Sequence, residues 1–513
     1  MAFQKNLESQ SELEAGQQSS YRQIMKATSL FGGVQVFQII IQIIKSKFVA
    51  VLLGPTGMGI MGLLNSTTDL ISNMTNFGLR TSAVKDIAAA YGTNDEKRIV
   101  FVVTVIRKIV WVTGILGLLI TAILSPWLSQ LTFGNKDYTL AFLWLSVTLL
   151  FNQLSSGQLV VLQGLRKLKY LAKANLFGSF LGLIITVPLY YFYGVDGIVP
   201  GIISTAMLSL LMSWYFAGKL KLTKINVSFA ETISESKNML SLGFMISLSG
   251  LLSVGASYVV RIFISRTGGV EQVGLYNAGF AIINTYVGLI FKAMSTDYYP
   301  RLAAIAHDNG LCRKTVNQQA EIAILILAPI LIIFIIFINW VVILLYSKRF
   351  IDVNDMIHWA ALGMFFKATS WSVAFIFLAK GATKLFFWNE LTASFCLLSF
   401  NLLGYHFFGL TGLGISFAVF YLIYTVQVFL VSKIKFQFTF ESSLKIIFAV
   451  QFGLALTGFL AVKLLNKPVV YVIGIILILF SAWFSLVQLN KRIGFVKLLN
   501  NYKQNRKFNK QKT

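Results

Sequence analysis

The chain has 513 residues, of which 56% are hydrophobic and only 12% charged, with a mean hydropathy of +0.73. A water-soluble chain of this size carries about twice that charged fraction, which excludes a soluble enzyme or binding module. The formal charge of +25 lies in short segments between apolar runs and in the C-terminal tail, a distribution that argues against nucleic acid as the partner and for a lipid bilayer as the surroundings.

In chain order, residues 1–24 are polar, lack the basic-then-apolar order of a signal peptide, and are expected to form a disordered cytoplasmic lead. Apolar runs of about 20 residues, long enough to cross a bilayer core as helix, then recur as far as Leu489. Backbone in lipid must hydrogen-bond to itself, so the runs are helices. Fourteen spans are expected, near 25–53, 56–79, 99–125, 138–163, 168–193, 196–218, 238–265, 271–296, 315–346, 353–379, 384–408, 411–432, 443–463 and 468–489. The expected fold is an all-α polytopic membrane protein. An N-terminal six-helix lobe (25–220), a linker (221–237) and a second six-helix lobe (238–432) are followed by two extra helices (443–489) and a basic tail (490–513).

Every second loop is rich in lysine and arginine, as at Arg80, Lys85, Lys97 and Arg98, or at Arg166, Lys167, Lys169 and Lys173. The positive-inside rule places those loops and both termini in the cytoplasm, and the even number of spans agrees. The intervening loops are short and leave no room for an outer catalytic domain. Cys312 and Cys396 make no disulfide framework or zinc site, and no cofactor or metal is expected. The GMGIMG of 57–62 fits a dinucleotide fingerprint, but that needs a strand in a βαβ unit; between membrane helices it reads as a tight turn.

Three stretches repeat in the same order at an offset of about 215 residues. GPTGMGIMGLL at 54–64 finds GGVEQVGLYNA at 268–278, QGLRKLKY at 163–170 echoes KGATKLFF at 380–387, and YYFYGVDGIVPG at 190–201 echoes GYHFFGLTGLG at 404–414. Parallel repeats of this kind are a transporter architecture, with the substrate path between the halves.

Polar rows run along several spans. On a helical wheel Gln35, Gln38, Gln42 and Lys45 fall within an arc of about 80°, and Asn65, Asp69, Ser72 and Asn76 within about 60° on the second helix. The repeat places Arg261 where the first half has Lys45, and Asn284 where it has Asp69. Arg107 and Lys367 are further intramembrane cations, with Lys108 and Lys292 open to a structural or snorkelling role. Ionisable residues in hydrocarbon are costly and usually face a cavity. Lys45, Arg261, Lys367 and Arg107 are therefore candidate cargo-binding cations. Gln35, Gln38, Gln42, Asn65, Asn76 and Asn284 are candidate polar lining, and Asp69 is a candidate for ion coupling, paired with Lys45. A cation-dominated cavity with amide rows suits an anionic, hydroxyl-rich cargo.

KFVAVLLGPTGMGIMG (47–62), followed by FGLRTSAVKDIAAAYGTNDEKR (77–98), resembles the opening of polysaccharide flippases. These are the O-antigen and lipid III translocases of the multidrug/oligosaccharidyl-lipid/polysaccharide exporter superfamily. The resemblance implies a bacterial inner-membrane flippase that moves undecaprenyl-pyrophosphate-linked oligosaccharide from the inner to the outer leaflet by alternating access. Its partners would be the lipid-linked cargo, bilayer lipids and other glycan-assembly proteins. It also implies that a cation at the depth of Lys45 serves the cavity, while Ser46 stands where related peptidoglycan-precursor flippases have an acid. Two rivals remain: a cation-coupled drug antiporter of the same superfamily, which would want an acid-dominated cavity, and a polysaccharide polymerase or ligase, which would want a large outer loop.

Overall fold

The computed structural model describes residues 37–493 apart from Asn94 and Lys224; Gln35 and the expected lead and tail lie outside the described residues. The chain divides into two compact units, one ending at Ile262 and the other beginning at Phe263. Among the described residues the fold is all-α, and nine helical stretches are long and apolar enough to cross a membrane.

In the first unit α1 (37–52) leads into α2 (Gly54–Thr75), α3 (Leu79–Gly92), α4 (Glu96–Ile123) and α5 (Ser125–Phe133). Then come α6 (Thr139–Gly164), α7 (Leu168–Tyr193), α8 (Ile198–Gly218) and α9 (Phe229–Gly268), which carries the chain into the second unit. Three helices depart from the sequence expectation. Residues 79–92 are a helix rather than a loop, because Leu79, Ala83, Ile87 and Ala90 recur at helical spacing and bury one stripe against α4 and α6. Arg80 and Lys85 project from its exposed side. The helices α2 and α9 form where spans are expected but are not among the nine apolar stretches. In α2 the polar run Asn65, Thr68, Asp69, Ser72, Asn73 and Asn76 lowers the hydropathy.

The second unit holds α10 (Val270–Phe280), a π-helical segment (Ala281–Val287), α11 (Gly288–Ala304), α12 (Asn309–Leu345) and α13 (Asn354–Ala379). It ends with α14 (Thr383–Phe436), α15 (Ser442–Leu464) and α16 (Lys467–Ile493). Its core joins Tyr298, Val316, Phe377, Phe420 and Val428, from α11 to α14.

The backbone repeats where the sequence does. Gly54 and Gly269 both have positive φ (67° and 87°), and so do Gly194 and Gly409 (55° and 56°). With ψ of −128° and −139°, the last two occupy a region essentially closed to residues with a Cβ. Each breaks one long apolar stretch, of 51 or 54 residues, into two helical segments. Arg166 and Gly381 (φ 54° and 65°) end α6 and α13 alike. There the Lys167 amide bonds Leu162 O at 2.8 Å and the Ala382 amide bonds Phe377 O at 2.9 Å, the six-to-one closure of a Schellman cap. The pairing of Arg166 with Gly381 corrects the alignment of QGLRKLKY with KGATKLFF by two residues. At the other end of the comparison, Asp95 caps α4 by accepting from Lys97 and Arg98 N, and Asp308 caps α12 by accepting from Gly310 and Leu311 N.

Small residues let the first of these helix pairs close. A Cβ on Gly178 would lie 3.3 Å from Ser209 Cα, and one on Gly182 would lie 3.0 Å from Thr205 Cγ2. Such contacts between small residues are how membrane helices gain packing when lipid offers no hydrophobic drive.

Candidate functional site

In the first unit α1 carries Gln38 and Lys45 half-buried and Gln42 exposed. Asp69 projects from α2 within electrostatic reach of Arg261 of α9; the sequence reading paired it with Lys45. Arg261 Nη1 donates to Ser257 O at 3.1 Å, one turn back along α9. That bond fits the lean of a helical side chain toward its own N-terminus. An acid and a guanidinium from different helices are thus within electrostatic reach in this unit.

The other polar residues of α2 divide by role. Asn65 is half-buried. Asn76 Oδ1 accepts from Gly78 N at 2.7 Å and from Ser247 Oγ at 3.2 Å, so it holds the α2–α3 turn against α9. Lys108 Nζ donates to Val227 O, which supports the structural alternative for that lysine. Arg107 stands apart from the Asp69 group, in a crevice between α4, α6 and α8.

The second unit assembles a more defined arrangement. Lys367 Nζ donates to Asn284 Oδ1 at 3.1 Å. The same ammonium lies over three rings, at 5.2 Å from Tyr421, 5.4 Å from Phe417 and 6.0 Å from Phe291. Phe417 and Tyr421 stand one turn apart on α14, so one helix face presents both rings. Asn284 sits inside the π-helical segment, a distortion that often marks functional positions in a helix. Ring faces offset part of the cost of holding an ammonium away from water, by about 0.5–2 kcal/mol. A lysine ammonium has three donors and Asn284 takes one, so the arrangement leaves it able to meet an anion.

Sequence reasoning singled out Lys367 and Asn284 separately and missed both their bond and the rings. In a chain with 44 phenylalanines, Phe417 and Tyr421 carry no signal that separates a cation cage from ordinary packing. It also missed a buried hydroxyl cluster in the first unit. Thr132 and Tyr258 share a 2.7 Å hydrogen bond, Thr67 and Thr132 one of 3.3 Å, and together they tie α2, α5 and α9.

Residues 48–355 match the family described as "Polysaccharide biosynthesis protein". The chain belongs to that family. It is a polytopic membrane protein with the fold of the multidrug/oligosaccharidyl-lipid/polysaccharide exporter superfamily. A Shigella flexneri chain named "Putative O-antigen transporter" is 23% identical over 385 residues, 72% of this chain and 88% of that relative. Among solved structures, "Lipid II flippase MurJ, inward closed conformation" superposes with a TM-score of 0.69 at 15% identity, covering 90% of this chain and 99% of its own. An inward-facing multidrug resistance transporter of the same superfamily gives 0.63 at 15% identity, covering 80% and 95%. The superpositions establish the fold that this family member shares with flippases and drug exporters alike.

Proposed function

We propose that this protein is a flippase that moves undecaprenyl-pyrophosphate-linked oligosaccharide of the O-antigen repeat type from the inner to the outer leaflet by alternating access. In this reading fourteen spans form two six-helix lobes (25–220 and 238–432) plus two C-terminal helices, with both termini in the cytoplasm. The repeated glycine breaks at Gly194 and Gly409 and the repeated caps at Asp95 and Asp308 support it.

The observation that carries the proposal is the ring-lined, Asn284-bonded Lys367 ammonium. A fixed cation in an apolar setting suits a pyrophosphate, through charge-assisted hydrogen bonds about twice as strong as neutral ones. Lys45 and Arg261 are the further proposed cargo cations, while Arg107, the other cation read from the sequence, lines a crevice of its own. Gln35, Gln38, Gln42, Asn65, Asn76 and Asn284 are the proposed polar lining, with Asn76 also serving its turn. Glycan-assembly proteins of the same membrane are the proposed partners.

The test is complementation of a flippase-null strain by Lys45→Ala, Arg261→Ala and Lys367→Ala, scored by surface glycan at matched expression. Loss of glycan in all three is expected, and full activity in all three overturns the reading. A second reading, cation-coupled drug antiport, is favoured by the multidrug-exporter likeness and by the membrane acid Asp69 beside Arg261. Proton-dependent efflux of a cationic dye from cells, lost in Asp69→Asn with surface glycan unchanged, would select it.

A further inference from the structure

In the first unit α4, α6 and α8 enclose a crevice of about 360 Å³, two of whose lining polar atoms are left without partners. Arg107 of α4 and Gln158 of α6 face into it, flanked by Trp111 and Trp214, with Lys221 just beyond the end of α8. Arg107 Nε and Gln158 Oε1 are both buried and neither has a hydrogen-bond partner. An unmet guanidinium N–H and an unmet amide oxygen each cost about 1–3 kcal/mol when buried, so a donor and an acceptor left unmet in one crevice ask for a ligand with both an acceptor and a donor. No carboxylate lines the crevice among the described residues, so nothing within it neutralises the cations.

Its position selects the kind of ligand. Arg107 lies 11 residues into α4, about 16 Å along the axis, and its side chain leans back toward the start of the helix. That end of the unit also holds Arg166, Lys167, Lys219 and Lys221. The Lys219 ammonium sits 4.5 Å from the Tyr215 ring centre. Trp111 and Trp214 are 51% and 62% exposed; Trp214, near the end of α8, stands where amphipathic rings gather at a membrane interface, and Trp111 lies deeper along α4. The crevice therefore sets exposed indoles beside cationic groups. A free anion in water gains nothing from exposed indoles; a molecule with acyl chains in the bilayer does.

We infer that this crevice binds the headgroup of an anionic, hydroxyl-bearing bilayer phospholipid, with phosphatidylglycerol as the fitting chemistry. Its phosphodiester oxygens accept from Arg107 Nε and Lys221 Nζ, and a glycerol hydroxyl donates to Gln158 Oε1. Basic pockets between membrane helices are known places for such headgroups. The site is separate from Lys367 and Asn284 and does not rest on the cargo reading, although it assigns Arg107 to a resident lipid instead of cargo.

The experiment is native mass spectrometry of the delipidated full-length protein, offered phosphatidylglycerol, phosphatidylcholine or inorganic phosphate. The wild type is expected to retain one phosphatidylglycerol that phosphatidylcholine does not replace and millimolar inorganic phosphate does not displace. Arg107→Gln should lower retention at least tenfold. Lys221→Gln, at an exposed helix end where folding is not at stake, should lower it at least threefold. Lys367→Met, a change at the proposed cargo site, should leave it unchanged. Equal retention in wild type and Lys221→Gln, equal retention of the two lipids, or displacement by inorganic phosphate each overturns the assignment.

Discussion

Lys367 shows how rings and one amide can surround a lysine side chain in a membrane protein. The three rings and the Asn284 amide hold its ammonium, so shape and charge are separable by substitution. Lys367→Met keeps most of the volume and removes the charge; surface glycan should fall at least tenfold at matched expression. Lys367→Arg keeps the charge and should retain part of the activity. Asn284→Ala removes one hydrogen bond to a cation, about 1.5–3 kcal/mol, and should lower activity roughly tenfold or more. Asp69 is the other residue whose chemistry can be isolated. Asp69→Asn is expected to abolish any dependence of transport on the proton gradient, read as glycan export with and without an uncoupler. Unchanged dependence would make Asp69 the structural counter-ion of Arg261.

At the scale of elements, breaks and caps are the testable features. Gly194 and Gly409 adopt backbone angles that a Cβ disfavours, yet a Cβ at either would meet nothing within 4 Å. Gly194→Ala and Gly409→Ala should thus cost about 1–3 kcal/mol of conformational strain each, with no steric contribution, measured by thermal unfolding in detergent. Asp95→Ala should cost about 1 kcal/mol by removing the α4 cap. Asp308 adds a pH dependence. The Leu311 and Gly310 amides hold its carboxyl below the ordinary aspartate range, so the cap's contribution is complete above the unfolded aspartate value of about 4. It is lost as pH falls through the lower folded value. Asp308→Asn should therefore flatten the acid limb of the stability profile and leave its neutral limb nearly unchanged.

At the scale of the whole molecule, the proposed topology places Lys167 and Lys380 on the same side as both termini. Cysteine labelling from outside intact cells, with single cysteines at those positions in a background lacking Cys312 and Cys396, should give no signal. A cysteine at Lys136, in a proposed outer loop, should be labelled. Labelling at Lys167 would invert the orientation.

Much of this protein was legible in its sequence, for a physical reason. Lipid forces backbone to satisfy itself, so apolar runs report helices directly, and α6, α7, α13 and α15 begin and end within a few residues of the expected spans. The glycines of the repeat were equally legible, since their positive φ permits few other residues. Helix α3 was not, because a short amphipathic helix in a basic segment has too little hydropathy to stand out. Side-chain partners were the least accessible. A wheel orders residues on one helix and says nothing of which helix faces it, so the approach of Arg261 to Asp69 depended on where α9 packs. The same limit applies to Lys367, whose rings come from α11 and α14, and to Arg107, whose crevice needs α4, α6 and α8 together. Composition and periodicity determined solvent, helices and repeat, whereas only the tertiary structure decided what each buried charge meets, because a charge is placed by contacts distant in sequence.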